Sequence, residues 1–572
     1  MHRESRAIRK MCGIETELGV NKKGEMSVET SAASFIKNIR PEWLNAEFQT
    51  PAWDSRERLR KKDESDRAHD YLNNWRWKET YNHLLRNGAR LYLDGAHPEI
   101  SGPICADPHM LVVWNRACYR WIDLIRKKYQ ETSGEEYRLI RNNVGMTNQS
   151  RTAQNPQAVT RESHGCHLNM TVARFVNEHE LIKKTLPWFI LQLPMSCSGK
   201  VGADYGRPHA DFQISQRADF MFEIASTETM YKRPWCNRRN RSYADAARFR
   251  CEHMIPFDSN MLELPEYLKA GLTAILLMMI EDGELDNRFE IQDPLNVALA
   301  ISRDTDLRLK IQLVNREKSR LIVDCLRDYH DLFASYLEEY HPDNAILNDV
   351  VRRFDEALTL CAARDWPGLF GKLDWVTKKL FIEQALSRKQ KTWTDWLAYR
   401  LDIDYHDNNH ETGLFYKTIM RYPDVVRIAT DAEIAEAMTI PPPTRARWIV
   451  ETIRAYQPAV RYSDYYYCVT FNDATRNDML SLFFPDPDTP WDDLTARELF
   501  TLPLNEFLVR IQEKGIARAE TCPTRRMQNP ENELPSVPIF TDAVTPQQSN
   551  DKSVETVTTI WDIIKNKFNK IM

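Results

Sequence analysis

The sequence predicts an α+β protein: a sheet cradle packed by helices, followed by a small C-terminal domain. Three observations predict it. Several short segments in the first 220 residues alternate polar and apolar side chains, as antiparallel strands do when one face is buried and the other open. From Leu262 onward apolar residues recur at helical spacing. After Pro441-Pro442-Pro443 come a helix, a tyrosine-rich strand and a helix–turn pattern.

Composition narrows the class. With 572 residues the chain can bury a large core. A net charge of -5 carries no nucleic-acid footprint. The 11 cysteines form no CxxC pair, so neither a zinc site nor a disulfide framework is expected, and a reducing cytoplasm is. The longest apolar run, residues 272–280, is too short to span a bilayer and reads as a buried helix. There is no Walker loop, no GxGxxG and no HExxH.

Residues 11–20 (MCGIETELGV) alternate, with Ile14, Thr16 and Leu18 facing one way and Glu15 and Glu17 the other. Two carboxylates at i and i+2 of a strand sit about 7 Å apart. In a cleft they repel unless cations lie beside them. Residues 53–70 are densely charged and read as an exposed loop or a solvated helix; residues 76–86 read as helical. Asn87-Gly88 is a turn signal. The strand after it puts Arg90, Tyr92 and Asp94 on one face, with His97 and Glu99 just beyond. That is the inventory of a phosphate-and-metal site with a spare carboxylate for base chemistry.

A helix is expected over residues 108–130, then strands over 139–144 and 163–175. The second strand sets His167, Asn169 and Thr171 opposite an apolar face of Cys166, Leu168, Met170 and Val172. A helix at 182–193 contains Pro187. Residues 197–204 (CSGKVGAD) form a glycine-rich turn with one lysine, without the rest of a phosphate-loop signature. Residues 211–222 read as one strand with Gln213, Ser215 and Arg217 on a shared face. An arginine cluster follows over 232–253, either a solvated helix or a polyphosphate holder. Helices are expected at 315–340, 344–360, 366–390, 432–438 and 444–456. A tyrosine-rich strand spans 461–472, and a helix–turn pattern spans 495–514. The tail from residue 520 reads as disordered, with a short helix at 557–571.

Together the strands offer carboxylates, histidine, arginine and amides where a solvated sheet carries lysine and threonine. GIETELG, NGARLYLDGAHPEIS, RNNV, SHGCHLN, FQISQRAD, ISRD, LDW and PPPTRAR occur in this order. They resemble the family of Pup ligases and Pup deamidases/depupylases, which attach and remove a small prokaryotic ubiquitin-like protein. The resemblance spans residues 11–472. It implies a glutamine-synthetase-related large domain over 11–425, with a curved antiparallel sheet cradling ATP and Mg²⁺, a small domain over 426–519 and a tail over 520–572. It further implies Glu15, Tyr92, Glu99 and His167 on the metal, and Arg90, Ser101, Asn169, Arg217 and Arg239 on the nucleotide. Asp94 is then the catalytic carboxylate. Tyr466 stands in for a tryptophan stacked on adenine. A Pup-like modifier and its conjugates are the implied partners, with a functional link to a bacterial proteasome. Two positions depart from the family: Leu168 where members carry glutamate, and Tyr243 where a metal-side histidine is expected.

Three features place the chain with the hydrolases of that family, as an ATP- and Mg²⁺-dependent deamidase/depupylase. Glu15 and Asp94 are 79 positions apart, room for a charged insertion. The Asp94-Gly95-Ala96-His97 spacing is the depupylase one. GKVG with FQISQRAD and ISRD also match that branch. The alternatives are a modifier–protein ligase, a non-catalytic nucleotide- or modifier-binding relative and a small-molecule γ-glutamyl ligase.

Overall fold

The computed structural model of the chain describes residues 4–22, 28–44, 82–95, 97–146, 161–229, 232–239, 243–314, 316–463, 467–473 and 478–522. The expectations for residues 53–70, Tyr466 and a helix at 557–571 lie outside them.

Eight strands make the central sheet: β1 (Cys12–Glu17), β2 (Asn82–Leu84), β3 (Arg90–Asp94), β4 (His97–Ser101), β5 (Cys166–Ala173), β6 (Met221–Ser226), β7 (Arg233–Asn237) and β8 (Phe249–Met254). Their order is β6-β7-β8-β5-β1-β4-β3-β2. Neighbours pair antiparallel except β6 and β7, which run parallel, so the expected antiparallel sheet is mixed at one edge. Strand β1 lies inside the sheet, between β4 and β5.

One sheet face is covered by helices. Helix α1 (Pro108–Ser133) starts where the Asp107 carboxylate accepts from the Met110 N–H and stops at Gly134, whose φ of 71° suits glycine. Its Tyr119 hydroxyl lies 3.0 Å from Thr16 Oγ1, on the inward face of β1. Helix α2 (Glu178–Leu191) is capped by Asn177 and runs through Pro187. Helix α3 (Glu263–Asp282) is buried at every position from Glu263 to Glu281, which accounts for the apolar run at 272–280. Leu168 is 0% exposed and pairs with Ile14 on one side and Met254 on the other, inside this core. Leu168→Ala is expected to cost about 2–5 kcal/mol in chemical denaturation.

Several sequence expectations need correction. Residues 82–84 are strand β2 where a helix was expected, because they pair with β3. The strand expected over 139–144 breaks into Tyr137–Ile140 and Val144–Met146. Between them Arg141 turns fully inward, its guanidinium 3.4 Å from the Tyr119 ring centroid. The strand expected over 211–222 ends at Gln213. Ser215 Oγ accepts from the Arg217 and Ala218 N–H groups at 3.1 Å each and turns the chain. The described part of the arginine cluster is not a helix: Arg233 lies in β7 and Arg250 in β8, while Arg238 and Arg239 follow β7 and Arg248 precedes β8.

The C-terminal part holds an antiparallel sheet, β9 (Val460–Ser463), β10 (Cys468–Asp473), β11 (Asp478–Phe483) and β12 (Arg518–Cys522). The strand through Cys522 takes in three residues expected to be disordered tail. Trp448, Phe471 and Leu482 share a core with Leu84 of β2. The buried Arg445 donates to the carbonyls of Tyr243 (2.7 Å) and Phe484 (3.0 Å), tying this sheet to the loop before β8.

Candidate active site

Register places the polar side chains of five strands in rows across the sheet face opposite the helices. Arg90, Ser101, Glu15 and His167 form one row, since Arg90 pairs with Ser101, Ser101 with Glu15 and Glu15 with His167. Tyr92, Glu99 and Glu17 form the next. Gly13, Asn169 and His253 form a third.

Glu15 sits at the centre. Its Oε1 accepts from Asn169 Nδ2 at 3.4 Å and lies 3.2 Å from His167 Nδ1 and 3.5 Å from His253 Nδ1. Its Oε2 accepts from Ser101 Oγ at 3.5 Å, and that hydroxyl lies 3.2 Å from the Tyr92 phenol. Burial pushes the Glu15 carboxyl up, but the His167 hydrogen bond and the two imidazole charges outweigh it and hold the group at about 2. His253 Nδ1 lies 2.7 Å from Asn169 Oδ1. Arg90 is buried with its guanidinium 4.6 Å from the Tyr92 ring centroid.

Among the described residues two donor groups result, each with ligand atoms within 4.8 Å of one another: Glu15, His167 and His253, and Glu17, Asp94 and Glu99. The second is three carboxylates with no basic side chain among them. Burial raises the Glu99 carboxyl well above the ordinary range, and Glu15, Asp94 and Glu17 add to it by repulsion. Glu99 Oε2 is buried without a hydrogen-bond partner. Oxygen donors crowded in this way fit a hard divalent cation. A group whose pKa is raised by folding contributes stability that is full below its unfolded value and is lost as pH rises through the folded one. Metal-stripped protein is therefore expected to lose stability at this site as pH rises above the ordinary glutamate range, about 4.3. Glu99→Gln should flatten that slope, and a divalent cation should abolish it in the wild type. Thermal melts across pH, with and without cation, check this.

The structure brings together Glu15, Arg90, Tyr92, Asp94, Glu99, Ser101, His167 and Asn169. Two other expected positions stand apart. Arg217 is 1% exposed, and its Nη1 donates to Ser163 Oγ at 3.0 Å and to the His164 carbonyl. Arg239 is half-buried and donates to Thr229 Oγ1 at 3.2 Å. Tyr466 lies outside the described residues. Tyr243 is exposed, with φ 42°. His253 is the residue that sequence reasoning missed. Its signal was the alternation of Phe249, Cys251 and His253, masked by the surrounding arginines. Glu17 was noted on its strand but not carried into the site.

Fold and donor rows define the class: an α+β enzyme with carboxylates and imidazoles in rows on one face of a large sheet. The chain belongs to the family described as Pup-ligase protein, whose model matches residues 10–467. The Pup–protein ligase of Kineococcus radiotolerans is 31% identical over 431 residues, 74% of this chain and 90% of that one. The depupylase of Acidothermus cellulolyticus is 31% identical over 364 residues, 63% of this chain and 69% of that one. Among solved structures, the complex of the prokaryotic ubiquitin-like protein Pup with its ligase PafA has a TM-score of 0.66 at 24% identity, covering 86% of this chain and 92% of that one. The Pup ligase PafA in complex with ADP has a TM-score of 0.64 at 25% identity, covering 77% and 94%.

Proposed function

We propose that the chain is an ATP-dependent ligase joining the C-terminal glutamate of a Pup-type modifier to a lysine of a target protein. The observation that carries this reading is coverage. At equal identity, 31%, the Kineococcus ligase is matched over 90% of its length and the Acidothermus depupylase over 69%. The hydrolase direction expected from the sequence is thus the less supported of the two.

In the proposed reaction the modifier's terminal carboxylate attacks the γ-phosphorus of ATP, and ADP leaves. The lysine amine attacks the resulting acyl carbon, phosphate departs with the C–O electron pair, and the amine proton passes to Asp94. Glu15, Tyr92, Glu99 and His167 would hold Mg²⁺, with Glu17 and His253 added by the geometry. Bound there, Mg²⁺ supplies charge neutralisation on the phosphates. Arg90 and Ser101, at one end of the central row, would meet the nucleotide with Asn169. Arg239 and Tyr466 stay proposed nucleotide contacts from the family resemblance, and a cytoplasmic, proteasome-linked role stays proposed with them.

A deamidase/depupylase remains the second reading, favoured by the 79 positions between Glu15 and Asp94 and by the spacing of Asp94 to His97. One assay separates the two. Purified protein receives ATP–Mg²⁺ and either a glutamate-ending modifier with a target protein, or a glutamine-ending or conjugated modifier. ADP and new conjugates from the first mixture are expected. Ammonia or released modifier without net ATP consumption would overturn the ligase reading.

A further inference from the structure

We propose that Arg217 and Asn143 are positioning residues that set the Glu17 carboxylate through one shared peptide group. That peptide joins His164 to Gly165, in the turn that leads into β5. Its carbonyl accepts from Arg217 Nη1 and from Asn143 Nδ2, the latter at 3.1 Å. Its N–H donates to Glu17 Oε2 at 2.5 Å. The Glu17 N–H returns a bond to the Gly165 carbonyl at 3.0 Å, so side chain and backbone of Glu17 are both held by Gly165.

The two donors are themselves fixed from several directions. Asn143 is 0% exposed. Its Oδ1 accepts from the Ser259 N–H at 2.6 Å, and its own N–H donates to Gln216 Oε1 at 2.5 Å. Arg217 is 1% exposed and also donates to Ser163 Oγ at 3.0 Å. Arg233 Nη2 donates to the Ser163 carbonyl at 3.1 Å. Hydrogen bonds to a carbonyl polarise the whole amide and strengthen its N–H as a donor, and a cationic donor does so most. The guanidinium is therefore felt at Glu17 without touching it.

Space at this turn points the same way. A Cβ on Gly165 would lie 2.5 Å from His167 Nε2 and 3.2 Å from Glu17 Cδ. The peptide thus sits between the two donor groups, and whatever orients it orients Glu17 against Asp94 and Glu99. The family resemblance put Arg217 on the nucleotide, but here its bonds go to protein.

The inference rests on the cradle holding a divalent cation, so its test reads Mn²⁺ binding to the metal-stripped full chain by electron paramagnetic resonance. Arg217→Met and Asn143→Ser are each expected to weaken Mn²⁺ about tenfold or more. In a Glu17→Gln background neither should weaken it further. Asn143→Ser, which removes the other donor to the same carbonyl, serves alone if Arg217→Met fails to fold. Unchanged Mn²⁺ affinity in the variants overturns the inference, as does an equal loss with and without Glu17. Loss of metal-free ADP binding in Arg217→Met but not in Asn143→Ser also overturns it, in favour of direct phosphate contact. A wild-type chain that binds no Mn²⁺ overturns the cation cradle itself, and this inference with it.

Discussion

Asp94→Asn is expected to lower the rate of isopeptide formation by about 10²–10⁴, the range for removal of a positioned general base. Nucleotide affinity should stay close to that of the wild type. The residue ends β3 opposite His97, and its carboxylate oxygen lies within 4.8 Å of ligand atoms of Glu17 and Glu99. That position allows two roles, and the variant separates them. Asparagine keeps the shape and removes a charge, so repulsion on Glu99 falls and the Glu99 carboxyl titrates nearer its ordinary range. If Asp94 is the base, the chemical step collapses while Mn²⁺ binding changes little. If Asp94 is chiefly a cation ligand, Mn²⁺ affinity falls in proportion to the rate, and raising the metal concentration restores turnover. Single-turnover conjugation across a metal titration reads both.

The core of this site was legible because strand alternation has a period of two and leaves little choice of face. Once β1 is read as a strand, Glu15 and Glu17 must share a side, and the same holds for Arg90, Tyr92 and Asp94. What alternation does not carry is register. Nothing local pairs Glu15 with Ser101 and His167 rather than shifting each by two, and only the paired sheet turns separate faces into rows. His253 was lost for a different reason. Arg248 precedes its strand and Arg250 lies within it, and a dense run of one charge reads as solvated surface. In the fold Arg248 pairs with Asp486, in the segment after β11, while the alternate residues Cys251 and His253 turn to the cradle. Arg141 and Asn143 escaped because residues 139–144 read as one continuous strand, whereas the fold breaks it between Ile140 and Val144. Here both are fully buried, supporting other segments.

Lys200→Met is expected to destabilise the protein by about 3–5 kcal/mol in chemical denaturation, the cost of leaving buried charge without its partner. The nucleotide affinity of the folded fraction should stay unchanged. A glycine-flanked lysine resembles a phosphate loop in sequence, but this one points into the core. Lys200 is 0% exposed, and its Nζ lies 2.6 Å from Asp204 Oδ2 and 2.8 Å from Asp219 Oδ2. Asp219 also accepts from Gln213 Nε2 and from Arg303 Nη2, each at 2.8 Å. Burial pushes the Asp219 carboxyl up, but the Lys200 charge and its hydrogen bond hold it at about 2. A carboxyl depressed by folding contributes stability above its unfolded value, about 3.9, and loses it as pH falls through the folded one. The variant's deficit should therefore be full at neutral pH and shrink in acid. The flanking glycines follow the same logic: Gly199 has φ +70°, and a Cβ there would lie 2.5 Å from the Phe212 ring. They let the chain turn tightly around a buried ion rather than approach a phosphate. A large loss of nucleotide affinity at unchanged stability would return Lys200 to the phosphate side.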